Sequence, residues 1–501
     1  MTTLTDDSRL TVPTDLSLPP HVGRNCIAGE WVEARSGRTF SDANPAHPDQ
    51  IIAEVADSGA DDAAAAIAAA GRAAPEWEAL GSIERGKILF RAAEVMERRT
   101  EELARVITAE QGKKLTEARS EVGRAIEILR FIAGEGRRLS GSTLPADEPR
   151  SMALTWHRPL GVVALITPWN FPLAIPVWKA APALLSGCTA VIKPSPLAPL
   201  STAIMVDILN EAGVAPGAIN LVQGDREPGE ELSSNPEVRG ISFTGSLPVG
   251  RSIQQAAAPR LARTQLELGG KNAVIVLADA DLDAAADAIV HGAFGQAGQR
   301  CSATSRVVVE SAVREDLVSR IVDRVSDMVL GDPFDAQTDL GPVVDSSRLD
   351  ACIRGVEGAL AVGARVRVGG HAVADSANPH GGHYMEPTVL SEVPADSEIA
   401  TEEVFGPVLS VIDAEDFDDA MAISNSVRYG MSGTIFTENR AHIFDALERF
   451  EAGMLHVNRP GVGAWPHLPH MGAKLSQYGA PECSADTWEF YTELRSACIS
   501  F

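Results

Sequence analysis

Among six cysteines and eleven histidines there is no CxxC pair, no HExxH motif and no His/Cys cluster at metal-ligand spacing. Those absences exclude the common zinc modules, and no metal is expected. The cysteines are scattered at Cys26, Cys188, Cys301, Cys352, Cys483 and Cys498. Such a pattern fits free thiols in a reducing compartment better than a disulfide framework, so a cytoplasmic setting is expected. Positive charge is in deficit: the formal net charge is −25. An acidic surface repels phosphate backbones and anionic lipid, which argues against nucleic acid and membrane as partners. No uncharged apolar run reaches membrane-spanning length. The first residues, MTTLTDDSRLTVPTDLSLPP, lack a basic stretch followed by an apolar one. They read as a flexible arm over 1–20 rather than a signal peptide. No internal repeat of solenoid length is present.

What is present is an ordinary globular composition, 45% hydrophobic and 22% charged, on a chain of 501 residues. That length is too great for one core, so about two or three compact units are expected. From Asp61 to about Ala133 apolar residues recur at helical spacing, as in ILFRAAEVMERR, and predict about three amphipathic helices. Between about 151 and 278, β-prone runs such as GVVALITP, TAVIKP, INLVQG, GISFTG and NAVIVL alternate with helical stretches. One of these, PLSTAIMVDILNEAG, has Ser201 or Thr202 as an N-cap candidate and Gly213 as its stop. Strands alternating with helices predict an α/β, doubly wound parallel sheet, with ligands at the carboxyl ends of its strands. A second αβ stretch runs from Asp279 to about Pro460, including AVREDLVSRIVDRVSDMV, VLSVID and GTIFT. AWPHLPHMGAKLSQYGAPE reads as a loop. The closing TWEFYTELRSACISF reads as a strand that either pairs with another chain or finishes its own domain.

Several segments carry groups suited to chemistry. In GQRCSATSR (298–306) the thiol of Cys301 stands among small residues and can be closely approached. Arg300 and Arg306 flank it, and their charge would favour a thiolate. A lone free cysteine is more often a small buried hydrophobe. In LELGGKN (266–272) the carboxylate of Glu267 lies between two leucines at a strand end. Desolvation there would raise its pKa toward the range of a general base, although a strand-end Glu facing water is the commoner case. In LITPWNFPL (165–173) two prolines bracket Asn170, whose rigid amide suits an oxyanion donor; a buried, satisfied Asn in an apolar turn is the alternative. VIKPS presents Lys193 at a strand end, either for a ribose or phosphate or simply for solvent. ISFTGSLPVG places Gly245, Ser246 and Gly250 where a strand gives way to a helix, a site for pyrophosphate. Its spacing is not GxGxxG, so the generic dinucleotide fingerprint is absent.

Taken in order, TPWNFP, VIKPS, FTGSxxxG, LELGGKN, GQRC and EEVFGPV (402–408) resemble the aldehyde dehydrogenase superfamily. The interval from Glu267 to Cys301 fits that family's pattern, and the resemblance extends from about Cys26 to the C-terminus. It implies that Cys301 attacks an aldehyde and that Asn170, with the Cys301 backbone N–H, holds the oxyanion. Glu267 then activates the water that hydrolyses the thioester, and NAD or NADP is the oxidant. The implied cofactor surface runs through Ile166, Thr167, Pro168 and Trp169, then Lys193, Ser195 and Gly224. It continues through Phe243, Gly245, Ser246, Gly250 and Leu268, with Glu403 and Phe405 at the nicotinamide ribose. The family's fold implies a cofactor-binding domain (21–139 and 159–268) and a catalytic domain (269–479), both αβ. A small β oligomerisation segment (140–158 and 480–501) would join subunits into a homodimer or homotetramer.

Three departures from the family pattern stand out. Pro196 occupies the place where many NAD-preferring members carry a ribose-binding Glu, which leaves NAD against NADP open. GDREPG after INLVQ is one residue shorter than the usual glycine-rich stretch. The usual PFGG reads Pro469-His470-Met471-Gly472, so His470 replaces an aromatic of the substrate tunnel. A CoA-acylating relative is the nearest alternative within enzymes, but those generally lack the hydrolytic glutamate. A catalytically silent protein on the same fold would be expected to lose Cys301 or Glu267. GQRCSATSR and EFYTELRSA most resemble the members acting on α-ketoglutaric semialdehyde and related ω-semialdehydes. Arg459, His467 and His470 near the tunnel mouth would favour such an anionic aldehyde.

Overall fold

The computed structural model describes residues 16, 18–374, 377–378, 380–463 and 465–501. Most of the arm expected over 1–20 lies outside the described residues. Four helices, not three, fill the helical region: Ala60–Ala79, Ser82–Arg98, Thr100–Gln111 and Leu115–Glu135. The breaks between them are short enough to escape a periodicity reading. Gly81 (φ 78°) and Gly112 (φ 87°) adopt the left-handed backbone that such tight breaks require.

The apolar runs become parallel strands buried along their whole length, as at Val162–Ile166, Thr189–Lys193 and Gly240–Thr244. Helices covering both faces make such continuous apolar stretches possible. Five parallel strands lie in the order Ile219–Leu221, Thr189–Lys193, Val162–Ile166, Gly240–Thr244, Arg263–Glu267. The chain winds outward from Val162–Ile166 in one direction, then returns and winds outward in the other. The resulting switch point lies between Val162–Ile166 and Gly240–Thr244, and the crevice beyond their carboxyl ends is where such sheets bind ligands. Antiparallel edges complete eight strands, Asn25–Ile27 and Glu30–Val32 on one side and Gln477–Tyr478 on the other. Gln477–Tyr478 comes from the segment expected to be a loop of the second αβ unit.

A second sheet of seven strands has the order Arg365–Val368, Thr388–Ser391, Val408–Ala414, Thr304–Glu310, Asn272–Val276, Ser432–Phe436, Met454–Val457. Only its first strand is antiparallel. The chain passes from the first sheet to the second through Leu268-Gly269-Gly270-Lys271, between Arg263–Glu267 and Asn272–Val276. The seam between the sheets is thus built from the LELGGKN motif itself.

The closing strand Thr492–Ser500 pairs antiparallel with Ser151–Pro159 along nine residues, and Thr143–Leu144 pairs with the far edge of Ser151–Pro159. The tail completes this sheet within its own chain, one of the two readings its sequence left open. Among the described residues no helix is long and apolar enough to cross a membrane. Nor, among them, is there a group of three or more His, Cys, Asp or Glu placed to hold a metal ion.

Candidate active site

Cys301 sits in the loop before strand Thr304–Glu310, held over the inter-sheet turn. Asn272 Nδ2 donates to the carbonyls of Cys301 and Ala303, both at 2.8 Å, and Asn272 Oδ1 accepts from Ser432 N at 2.9 Å. Gly270 is needed beneath: a Cβ there would lie 2.6 Å from the Cys301 carbonyl oxygen. The loop ahead of the cysteine is strained. Gln296 and Ala297 both have φ of 53°, and Gly298 follows at 70°. Positive φ at non-glycine residues costs about 1–3 kcal/mol each and persists only where the surroundings impose it. Here Glu117 Oε1 accepts from Gln296 N at 2.9 Å, and Gln299 Oε1 accepts from Val344 N at 3.0 Å.

Asn170 is buried, and its Nδ2 donates to the Gln299 carbonyl at 3.0 Å, which ties the Pro-bracketed turn to the cysteine loop. An amide nitrogen has two hydrogens, so one remains for a ligand. Two charged residues that sequence reasoning missed fix this turn. Lys113 Nζ donates to the Asn170 carbonyl and to Glu121 Oε2, both at 2.6 Å, while Glu121 Oε1 accepts from Leu173 N and Ala174 N. Both side chains are fully buried. The available signal was the spacing of Glu117, Glu121 and Arg124 along one stripe of the helix Leu115–Glu135.

Glu267 is 1% exposed and neither carboxyl oxygen has a partner among the described residues. Burial, then the neighbouring Glu482 carboxylate, pushes its pKa well above the usual carboxylate range; Lys179 opposes the shift. Lys179 and Glu482 form a buried ion pair, and Lys179 Nζ also donates to Ser242 Oγ at 2.9 Å. Neither residue had a sequence signal, because a charge inside an apolar helix such as AIPVWKAAPALLS looks like an isolated exception.

The two flanking guanidinium groups bond to other acceptors and not to the thiol, although Arg300 still attracts Cys301 through space. Arg306 donates to the carbonyls of Lys271, Ile423 and Ser424, and Arg300 faces Gln296 and Glu117. Burial, then Glu267 and Glu403, push the Cys301 thiol up to about 12, with the N–H groups of Ser302 and Cys301 opposing. His470 Nε2 lies 4.0 Å from Cys301 Sγ.

The residues implied for a dinucleotide gather on the carboxyl ends of the first sheet. Ile166 ends a strand, Thr167 N donates to the Lys193 carbonyl at 3.0 Å, and Pro168 and Trp169 continue the turn. Lys193 Nζ donates to the carbonyls of Pro194 and Gly224 at 2.8 Å, which leaves one of its three hydrogens free. Burial lowers the Lys193 pKa to about 8. Ser195 Oγ accepts from Leu197 N and shapes the same turn. In the shortened GDREPG stretch, Gly224 has φ of 121° and a helix starts at Arg226.

Ser246 stands at the N-terminus of helix Leu247–Ala257 with no side-chain cap, so its first N–H groups are available to an anion. The cradle is bare where a dinucleotide needs room. A Cβ on Gly245 would lie 2.5 Å from the Phe243 ring, and one on Gly250 2.6 Å from the Leu268 side chain. Across the crevice Glu403 accepts from Gly270 N at 3.0 Å; burial raises its pKa to about 7. A Cβ on Gly269 would collide with that carboxylate. Phe405 meets Trp169 edge to face at 5.5 Å, joining the two halves of the crevice. These residues fit a nicotinamide dinucleotide.

A tunnel of about 700 Å³ reaches Cys301, with Phe171, Trp178, Arg124, Arg300 and His470 in its walls. Of the three groups expected at its mouth, only His470 lines it. Arg459 and His467 instead pack on Trp465, the Arg459 Cζ 4.8 Å and the His467 ring centre 6.0 Å from its ring centre.

A thiol and a buried carboxyl at one tunnel, beside a crevice that would fit a dinucleotide, are the groups that an oxidoreductase working through a cysteine adduct needs. Residues 31–497 match the aldehyde dehydrogenase family, and the chain belongs to it. It is 39% identical to the alpha-ketoglutaric semialdehyde dehydrogenase of Bacillus subtilis (strain 168), over 95% of this chain and 97% of that one. It is 40% identical to the 2,5-dioxopentanoate dehydrogenase of Saccharolobus solfataricus, over 93% and 97%. The fold matches betaine aldehyde dehydrogenase from Staphylococcus aureus in complex with NAD+, with a TM-score of 0.95, 32% identity and 98% of both chains covered. The chain is an NAD(P)-dependent enzyme that oxidises an aldehyde to the carboxylic acid.

Proposed function

We propose that Cys301 is the nucleophile, Asn170 the oxyanion donor and Glu267 the hydrolytic base, acting on a semialdehyde that carries a second acidic group. The observation that carries the assignment is the convergence of the Cys301 loop, the Asn170 turn and the unpartnered Glu267 on the seam between the two sheets. Cys301 Sγ, its proton given up to solvent, bonds to the carbonyl carbon, and the oxygen becomes an oxyanion. The free hydrogen on Asn170 Nδ2 and the Cys301 N–H donate to it, and both are already fixed by the loop. NAD or NADP held in the crevice would accept the hydride, the hydrogen of that carbon with its electron pair, as the carbonyl of the thioester re-forms. Glu267 then takes a proton from the water that attacks the thioester, and Cys301 leaves as the sulfur anion. In its carboxylate form, and without hydrogen-bond partners among the described residues, Glu267 is free to accept that proton. Glu267 favours the free acid over a CoA ester, and the presence of both Cys301 and Glu267 argues against a silent scaffold.

The two semialdehyde-oxidising relatives support an acidic substrate, and so does Arg124. It lines the tunnel, forms an ion pair with the exposed Glu127 at 3.3 Å, and replaces Arg459 and His467 as the cation for the distal carboxylate. The decisive measurement is nicotinamide reduction with NAD or NADP and aldehydes of equal length, with and without a terminal carboxylate. Reduction without CoA, with higher kcat/KM for the carboxylated member, is expected. Arg124→Gln should erase that preference. A neutral aldehyde that outperforms its carboxylated partner would overturn the substrate assignment, and full activity in Cys301→Ala would overturn the nucleophile.

A cytoplasmic homodimer or homotetramer is the assembly we infer. All six cysteines are free, as a catalytic thiol requires. In the antiparallel register Met152 pairs with Ile499 and Trp156 with Arg495, which places Met152, Trp156, Ile499 and Phe501 on one face of the small sheet. All four are exposed. An apolar face of this kind is suited to a second copy of the chain.

A further inference from the structure

His470 and Trp178 form a pair of unsatisfied polar rings in the wall of the aldehyde tunnel. His470 is 5% exposed and Trp178 8%. Their ring centres are 5.2 Å apart, tilted by 34°. His470 Nδ1 and Trp178 Nε1 are both buried without a hydrogen-bond partner among the described residues. Leaving two such groups unmet in one wall is costly, because each lost its water on folding. The backbone holds His470 rigidly: its N–H donates to the Glu482 carbonyl at 2.8 Å and its carbonyl accepts from Glu482 N at 3.0 Å. Burial and the nearby Lys179 lower the imidazole pKa to about 4, so the ring is neutral and offers one donor and one acceptor. The position is also where this chain departs from its family's aromatic.

We propose that His470, with Trp178, is a specificity-determining residue that binds an oxygen substituent, hydroxyl or carbonyl, carried on the aldehyde chain next to the reacting carbon. The distance sets the location. Nε2 stands 4.0 Å from Cys301 Sγ. A carbon bonded to that sulfur brings an oxygen carried on the adjoining carbon within hydrogen-bond reach, about 2.8 Å, of the ring. A plain alkyl chain offers no partner to the imidazole or to Trp178 Nε1, whereas an oxygenated one does. A site built to hydrogen-bond an oxygen rejects the analogue that lacks it. The inference deepens the substrate reading above but does not share its test, since it concerns the near end of the aldehyde and not the distal carboxylate.

The experiment uses two uncharged aldehydes, butanal and 2-hydroxybutanal, with the wild-type enzyme, His470→Phe and His470→Gln. The expected result is a higher kcat/KM for the hydroxylated aldehyde in the wild type. In His470→Phe the ratio of kcat/KM for the hydroxylated aldehyde to that for butanal should fall about tenfold or more, and His470→Gln, which keeps a donor and an acceptor, should recover part of that fall. Equal losses on both aldehydes, or a wild type indifferent to the hydroxyl, would overturn the proposal. The rate of Cys301 alkylation by iodoacetamide should be unchanged in His470→Phe. A marked fall there would assign the histidine to the thiol instead of the substrate, and would equally overturn it.

Discussion

Single residues divide into those whose neighbours were legible and those whose neighbours were not. Glu267 between two leucines already suggested desolvation, and the structure buries it. The flanking arginines of Cys301 suggested a thiolate, but charge acts through space, and both guanidinium groups are spent on other acceptors. Glu267 carries two expectations. Glu267→Gln should form the thioester and release reduced cofactor in a burst, then turn over about 10²–10⁴-fold more slowly, as stopped-flow absorbance would show. Its stability effect has a definite sign. A carboxyl whose folded pKa lies above its unfolded value binds more protons when folded, so stability falls as pH rises from the ordinary carboxylate range through the raised value. The variant lacks this loss. Thermal melts should show Glu267→Gln gaining on the wild type between pH 5 and pH 8, and a constant difference would contradict the raised pKa. Pro196 has a simpler expectation. No carboxylate there repels a 2′-phosphate, so Pro196→Glu should lower kcat/KM with NADP far more than with NAD.

Elements were legible where their pattern was local. Fully apolar runs such as VVALI announced buried parallel strands, and Gly245 and Gly250 marked a close approach before any coordinates. The cap of helix Leu200–Glu211 was not legible. Ser201 lies inside the helix, and the carboxylate that receives Leu200 N and Ser201 N comes from Glu110, a residue about ninety positions earlier. The same holds for the turn carrying Asn170, where the prolines are local but the Lys113–Glu121 pair beneath it is not. Breaking such a pair strands an unpaired buried charge, at a cost of about 3–5 kcal/mol. Glu121→Gln should therefore lower the melting temperature. It should also lower kcat, because Leu173 N, Ala174 N and the Asn170 carbonyl all depend on this ion pair. Normal kcat at a temperature where the variant is folded would show that the turn holds itself.

For the whole molecule, alternation of strands and helices gave two αβ units but not the way they interlock. Gln477–Tyr478 joins the first sheet after the chain has built the second, and a two-residue strand leaves no periodic trace. The assembly expectation belongs here as well. Ile499→Lys places a charge on the apolar face of the small sheet without touching the core, and should shift the mass measured by light scattering toward the monomer while leaving the melting transition in place. An unchanged mass would move the subunit contact elsewhere. The return of the chain to the first sheet also couples two properties usually adjusted separately. His470 and Glu482 face each other across one two-residue ladder, the first in the aldehyde tunnel and the second beside Glu267. Laboratory evolution toward a new aldehyde through position 470 would therefore disturb the hydrolytic carboxyl in the same step, and gains in substrate range here should arrive together with changes in thioester lifetime.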